Sequence, residues 1–241
     1  MTATPATPIG DVVASDYQTA AVFERHGLDF CCGGRRTIEQ ACRAAGVDTA
    51  GLIREIDAVL NGRAPDAPSF ASWSARRLVV YIVDHHHAFV RGALAPMLQY
   101  SGRIATVHGQ RHPELIRLAA IVARVADEMT DHMQKEERIL FPFIAALEAA
   151  AETGGAAVAA PFGAVANPIH AMEAEHQVVG DAMAEIRELT SGYQPPADAC
   201  TTYRVAFSEL EAFERDLHAH VHLENNILFP RAIAMQTAAR A

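Results

Sequence analysis

The stretch His132-Met-Gln-Lys-Glu136-Glu-Arg-Ile-Leu-Phe-Pro142 returns 88 residues later as His220-Val-His-Leu-Glu224-Asn-Asn-Ile-Leu-Phe-Pro230. Both copies follow the frame H-x3-E-x2-I-L-F-P, and each has a histidine far upstream. His87 precedes His132 by 45 residues, and His176 precedes His220 by 44. Residues four apart share a helix face, so His132 lies beside Glu136 and His220 beside Glu224. Each half of residues 74–235 then offers two imidazoles and one carboxylate at matching positions. A bundle interior normally takes Leu and Ile at such places, and admits charge only where it is paired or metal-bound. A single His-x3-Glu pair is common on exposed helices; two copies with the same tail are hard to make by accident. The pattern predicts two metal ions. Imidazoles and carboxylates suit iron, and carboxylates can bridge two ions. The absence of thiolates from the set argues against structural zinc.

His87 is preferred within Asp84-His-His-His87 because its spacing matches the second half, with His86 as the alternative. His85 is assigned to a supporting or solvent-facing place. His218 and His222 point away from His220, have no counterpart in the first copy, and are read as surface residues. Glu128, Glu175 and Asp216 could orient imidazoles or guide cations, or could be ordinary solvated carboxylates. Met133, Met172 and Met183 are read as core filling.

The chain is acidic, with 20 basic against 29 acidic residues in 241. That balance argues against a nucleic-acid partner held by phosphate neutralisation. No stretch is apolar for long enough to span a bilayer, and Met-Thr-Ala-Thr-Pro-Ala-Thr-Pro lacks the features of a secretory signal. Four cysteines, two adjacent, do not make a disulfide framework, which suits a reducing cytoplasm.

The pattern is helical throughout, giving an all-α fold. Residues 1–62 read as a small N-terminal three-helix module. Ser15 or Asp16 caps a first helix ending at His26, with Gly27 after it; Thr37-Ile-Glu-Gln40 has capping-box spacing; Asp48 opens the third. Residues 63–73 form the linker. Residues 74–241 form an up-down four-helix bundle with helices over about 75–107, 114–149, 168–191 and 199–235. Pro96 predicts a kink or break in the first.

Phe30-Cys31-Cys32-Gly33-Gly34 falls in a loop between short helices. Adjacent cysteines do not close on each other without strain. Glycines beside them predict accessible thiols, able to bind metal, receive it in transfer or exchange disulfides. Cys42 and Cys200 are assigned structural places.

With Asp29-Phe-Cys-Cys-Gly-Gly34, the linker, the two His-x3-Glu motifs, Ala174-Glu-His176 and Glu224-Asn-Asn-Ile-Leu-Phe-Pro-Arg231, the whole chain resembles the iron–sulfur cluster repair di-iron proteins. These carry an N-terminal cysteine module and a hemerythrin-like domain. The resemblance implies a carboxylate-bridged centre of two non-haem iron ions, with His87, His132, His176 and His220 as terminal ligands and Glu136 and Glu224 as bridges. It also implies cytoplasmic repair of clusters damaged by nitric oxide or peroxide. Only the Gly154–Ala166 connection looks like an insertion.

Three functions share this ligand set. An iron-handling repair protein would donate iron to damaged iron–sulfur cluster proteins, with Cys31 and Cys32 aiding transfer. A gas binder would capture nitric oxide or oxygen at the irons. A di-iron enzyme would turn over nitric oxide or peroxide. The cysteine module favours repair, a non-enzymatic role, because a pure gas binder has no evident need for it. A module of about 60 residues would also gain stability from a second surface, which suits a homodimer.

Overall fold

The computed structural model describes residues 2–62, 70–154, 158 and 161–239. Among them the protein is all-α, with no strand and one isolated bridge between Pro8 and Thr37. The segment 63–69, most of the expected linker, lies outside the described residues, as does part of the Gly154–Ala166 connection.

Four short helices precede residue 62: α1 (Ile9–Ser15), α2 (Ala20–Arg25), α3 (Ile38–Ala45) and α4 (Thr49–Asn61). Helix α1 is an addition to the three expected. Its Gly10 and β-branched Ile9, Val12 and Val13 give it little intrinsic helicity; burial of those three side chains compensates. Asp16, rather than Ser15, begins the next element, accepting the Gln18 N–H at 3.0 Å at the start of a 3-10 turn (Tyr17–Thr19) that runs into α2. Thr37 and Gln40 form the reciprocal capping box, and Asp48 accepts the N–H groups of Ala50 and Gly51. Gly46 ends α3 at φ 70°, a conformation a side chain would strain.

The long runs follow. The first is α5 (Ala75–Tyr81), a π-turn (Ile82–His87) and α6 (Ala88–His108). The second is α7 (Glu114–Lys135), a π-turn (Glu136–Leu140) and α8 (Phe141–Thr153). Helix α9 (Ala166–Leu189) stands alone; the last run is α10 (Thr201–Leu223), a π-turn (Glu224–Leu228) and α11 (Phe229–Ala238). Pro96 does not break its run: α6 continues through it. The carbonyl it deprives of a partner belongs to Gly92, which is exposed and can turn to water.

The described residues group into two compact units, and the division falls within continuous helices. Unit one takes Met1–Val79, Ile144–Ala159 and His218–Ala241. Its core includes Val12, Phe23, Ile38, Leu52 and Ile56, each buried aliphatic stabilising by about 1.5–3 kcal/mol before entropy is counted. Glu148 of α8 caps α5 from afar, accepting the Ala75 N–H at 2.6 Å and the Arg76 N–H at 2.9 Å. Arg231 donates to the carbonyls of Trp73 and Ala71. Unit two takes Val80–Phe143 and Ala160–Leu217. There α6, α7 and α9 bury Val90, Met97, Leu118, Val125, Met172 and Met183, and Met133 is buried too, so the three methionines are core filling. Glu214 of α10 accepts from Arg187 (2.9 Å) and from the Tyr193 hydroxyl (3.0 Å).

Glu148→Ala strands two helix N-terminal donors, that of Ala75 buried and that of Arg76 partly so. It should cost about 2–3 kcal/mol, which for a chain of this size is a fall in Tm of roughly 4–10 °C. Thermal melting followed by circular dichroism measures it, and a shift under about 2 °C would remove Glu148 as a cap.

Candidate metal centre

Three of the four long runs carry a π-turn, and each has a motif residue at one end: His87 closes the first, while Glu136 and Glu224 open the others. A π-turn inserts one residue into the helical repeat and re-aims the side chains beside it, which is why such turns gather at functional sites. The signal was absent from the sequence reading, because periodicity alone does not register an inserted residue.

In unit two, the Nε2 atoms of His87 and His132 each lie 3.3 Å from Glu136 Oε2. His176 Nε2 is 3.0 Å from His132 Nε2. In unit one, His220 Nε2 is 3.1 Å from Glu224 Oε1. His87, Glu136, His220 and Glu224 have no exposed surface at all, and His132 and His176 have 2%. In unit two the donor atoms of His132, Glu136 and His176 lie within 4.8 Å of one another, as do those of His87 and Glu136. In unit one those of His220 and Glu224 do the same.

The tautomers fit a cation. His132 Nδ1–H donates to Glu175 Oε2 at 2.9 Å, and His87 Nδ1–H donates to Glu137 Oε1 at 2.6 Å. An ionised carboxylate only accepts, so each Nδ1 holds a proton, and Nε2 is the ring atom of each that faces Glu136 and could bind a cation. Carboxylate partners also raise the basicity of an imidazole towards a metal. The hydrogen bond from His132, aided by Lys135 at 2.6 Å and opposed by partial burial, draws the Glu175 pKa down to about 2. Glu175 therefore keeps accepting over the whole working pH range. A pocket of about 300 Å³ lined by Glu128, Asp131, His132, Lys135 and Glu175 reaches this edge of the cluster from outside.

The flanking residues sort themselves. Of the two histidines left open, His87 reaches Glu136, while His86 Nδ1 donates to Asp216 at 2.9 Å. His85 is exposed, against the Tyr81 carbonyl. Glu128 turns to Arg124 at 4.0 Å rather than to His132. Glu137, also held by Arg91, was missed: it follows the motif glutamate directly and reads as a solvated charge. His222 corrects the surface reading, because the helix face opposite the metal stripe is covered. It is 1% exposed, with Phe30 and Tyr17 at 5.7 and 6.0 Å between ring centroids, and burial pulls its pKa down to about 4. Cys42 is buried as expected, whereas Cys200 is exposed beside His108 at 3.2 Å.

Cys31 and Cys32 lie in the turn between α2 and α3, with sulfurs 3.9 Å apart. Asp29 shapes that turn by accepting the backbone N–H groups of Cys31, Cys32 and Gly33 at 2.9–3.0 Å. Accessible thiols were expected, but Cys31 is buried and only Cys32 is partly open. Glycine shortens the side chains beside a thiol without exposing it, and here the turn is covered. The neighbouring Cys32, then burial and the Asp29 carboxylate, hold the Cys31 pKa well above that of a free thiol, so Cys31 is kept protonated.

Comparison with known proteins agrees with this geometry. The hemerythrin HHE cation binding domain matches residues 78–232, and a domain of unknown function matches residues 6–60. The chain belongs to the hemerythrin HHE cation-binding family. It is 32% identical over 228 residues to the iron-sulfur cluster repair protein YtfE of Yersinia pseudotuberculosis serotype IB (strain PB1/+), covering 93% of this chain and 96% of that one. It is equally identical over 228 residues to the iron-sulfur cluster repair protein ScdA of Staphylococcus haemolyticus (strain JCSC1435), with 92% and 95% covered.

Glu137→Ala and Glu175→Ala each free an imidazole from its orienting carboxylate. Metal affinity should fall about 10- to 100-fold in either variant while all six donor residues remain. Competition with a chromogenic chelator reads this directly; affinities within about twofold of the parent would show that the outer carboxylates do not tune the site.

Proposed function

We propose that this protein holds two non-haem iron ions between His87, His132, His176, His220, Glu136 and Glu224, and repairs iron–sulfur clusters damaged by nitrosative or oxidative stress by supplying iron. The observation that carries the reading is the buried Glu136 with the Nε2 atoms of His87 and His132 each 3.3 Å away, and the same His–Glu pairing at His220 and Glu224, in a chain similar over nine-tenths of its length to proteins named for cluster repair.

The chemistry follows from the residues. Imidazole lone pairs hold the ions, and two carboxylates offset their charge and can change binding mode as charge changes. Iron bound in this way is cargo, and hard oxygen donors give it up more readily than a set of thiolates would. The pocket beside His132, whose mainly apolar wall carries Glu128, Asp131 and Glu175, could admit a cation. Cys31 and Cys32 then assist transfer or docking on the damaged client. Their Asp29-bound turn places a third donor within 4.8 Å of both sulfurs. Nitric oxide is a further ligand that irons in such a site would take, and binding it without donation is the competing role. That role leaves the N-terminal module without a task.

No described helix is long and apolar enough to cross a membrane. We place the work in the cytoplasm, where the client clusters and reduced thiols are found, and propose a homodimer as the working form.

The test combines Cys31→Ser with Cys32→Ser in an anaerobic assay that reads cluster rebuilding on a nitrosylated iron–sulfur client by its visible absorbance. The variant should keep its iron and lose at least about 90% of the repair rate (about 1.4 kcal/mol in the transfer barrier). Full repair by the variant would remove the thiols from the mechanism. Stoichiometric nitric oxide uptake with no iron passed to any client would replace repair with gas binding.

A further inference from the structure

The two copies of the repeated segment part company at the two positions after the motif glutamate. The first has Glu137-Arg138, the second Asn225-Asn226. Glu137 turns back to orient His87. The asparagines turn instead to the cysteine loop. Asn226 Nδ2 donates to the carbonyls of Phe30 at 3.2 Å and Cys31 at 3.1 Å, and Asn225 Nδ2 approaches the Cys31 carbonyl at 3.5 Å. Phe30, Cys31, Asn225 and Asn226 all lie in unit one.

The slot that receives the Asn226 amide is cut for it. Its walls are Gly10 and Gly34, joined by a hydrogen bond from the Gly10 N–H to the Gly34 carbonyl at 2.9 Å. A Cβ on Gly10 would lie 2.3 Å from Asn226 Oδ1, and one on Gly34 would lie 2.2 Å from it. Neither position tolerates a side chain while the amide is seated. His222, one turn earlier, meets the amide through Nδ1 at 3.2 Å and sets its ring against Phe30. Opposite faces of one short stretch thus serve two purposes: His220 and Glu224 supply metal donors, while His222 and Asn226 grip the loop that bears the thiols.

We propose that Asn226 is a positioning residue that ties the Cys31–Cys32 turn to the metal-binding π-turn, so that exposure of the thiols depends on metal occupancy. Glu224 opens that π-turn and is fully buried. A cation held by His220 and Glu224 would replace the 3.1 Å contact between them and reset the carboxylate that opens the turn, so losing the metal shifts the turn. Asn225 and Asn226 follow Glu224 directly in the chain and carry the shift to the Phe30 and Cys31 carbonyls. With metal bound, Cys31 is shielded; with metal gone, its thiol is released to solvent. This rests on the proposed iron site, and it gives the cysteine module a means of responding to whether iron has been delivered.

Alkylation of Cys31 by iodoacetamide in the full-length protein, located by peptide mass spectrometry, tests it. Removing iron with a chelator should raise the Cys31 rate at least about tenfold in the parent, a difference of about 1.4 kcal/mol in protection. Asn226→Ala should alkylate rapidly with or without iron, at unchanged iron content and helicity. Gly10→Ala, whose Cβ would meet the Asn226 amide before any other group, should do the same, and the double variant should add little. A purely structural asparagine would raise both rates and leave their ratio intact. Metal-independent alkylation in the parent, or a preserved metal response in both variants, overturns the proposal. The repair reading fails separately: full repair without the two thiols would leave the alkylation result standing.

Discussion

The constraint that governs each unit is a carboxylate taken out of water. Glu136 and Glu224 have no exposed surface; Glu136 lies against the buried imidazoles of His87 and His132, and Glu224 against that of His220. Desolvating a carboxylate costs several kcal/mol, and cations held by these carboxylates and the imidazole Nε2 atoms would offset that cost. Leu140 and Phe141 of the first tail and Ile227, Leu228 and Phe229 of the second are buried beside the donors, and a π-turn adjoins each motif glutamate.

That constraint explains the outer ring of charge. Glu137 and Glu175 each remain partly exposed, where ionisation is inexpensive, and each fixes one imidazole by its Nδ1 proton. Arg91 and Lys135 in turn hold these carboxylates. The charge that the interior excludes is thus kept at its margin, where it still governs tautomer and basicity. The second copy of the repeat departs from this plan. Its corresponding positions are neutral amides that bind the cysteine turn, and the near-symmetry of the donor set is broken where the two functions of the chain meet.

The sequence reading reached the helices, and singled out six candidate donors, because both write themselves at fixed spacing. Apolar residues recur at helical period, and a buried His-x3-Glu pair interrupts that pattern in two places. Asp16, Thr37 and Asp48 declared helix starts by residue type alone. What escaped was set by tertiary packing. Helix α1 has poor local propensity and exists because its face is covered. Glu137 looks like any surface charge until His87 is brought beside it from 50 residues away. His222 and Cys31 were read as open, and both are buried, because nothing in their own neighbourhoods states what lies against them. Pro96 carried the strongest local signal of irregularity, yet the irregular turns formed at the donors.

Iron content decides the central claim most directly. Purified anaerobically, the parent protein should carry about two irons per chain, and a Glu136→Ala, Glu224→Ala variant that keeps its helicity should carry almost none. Zinc in their place, or a parent free of metal, would contradict the account and leave a helical bundle with an unexplained cluster of buried histidines.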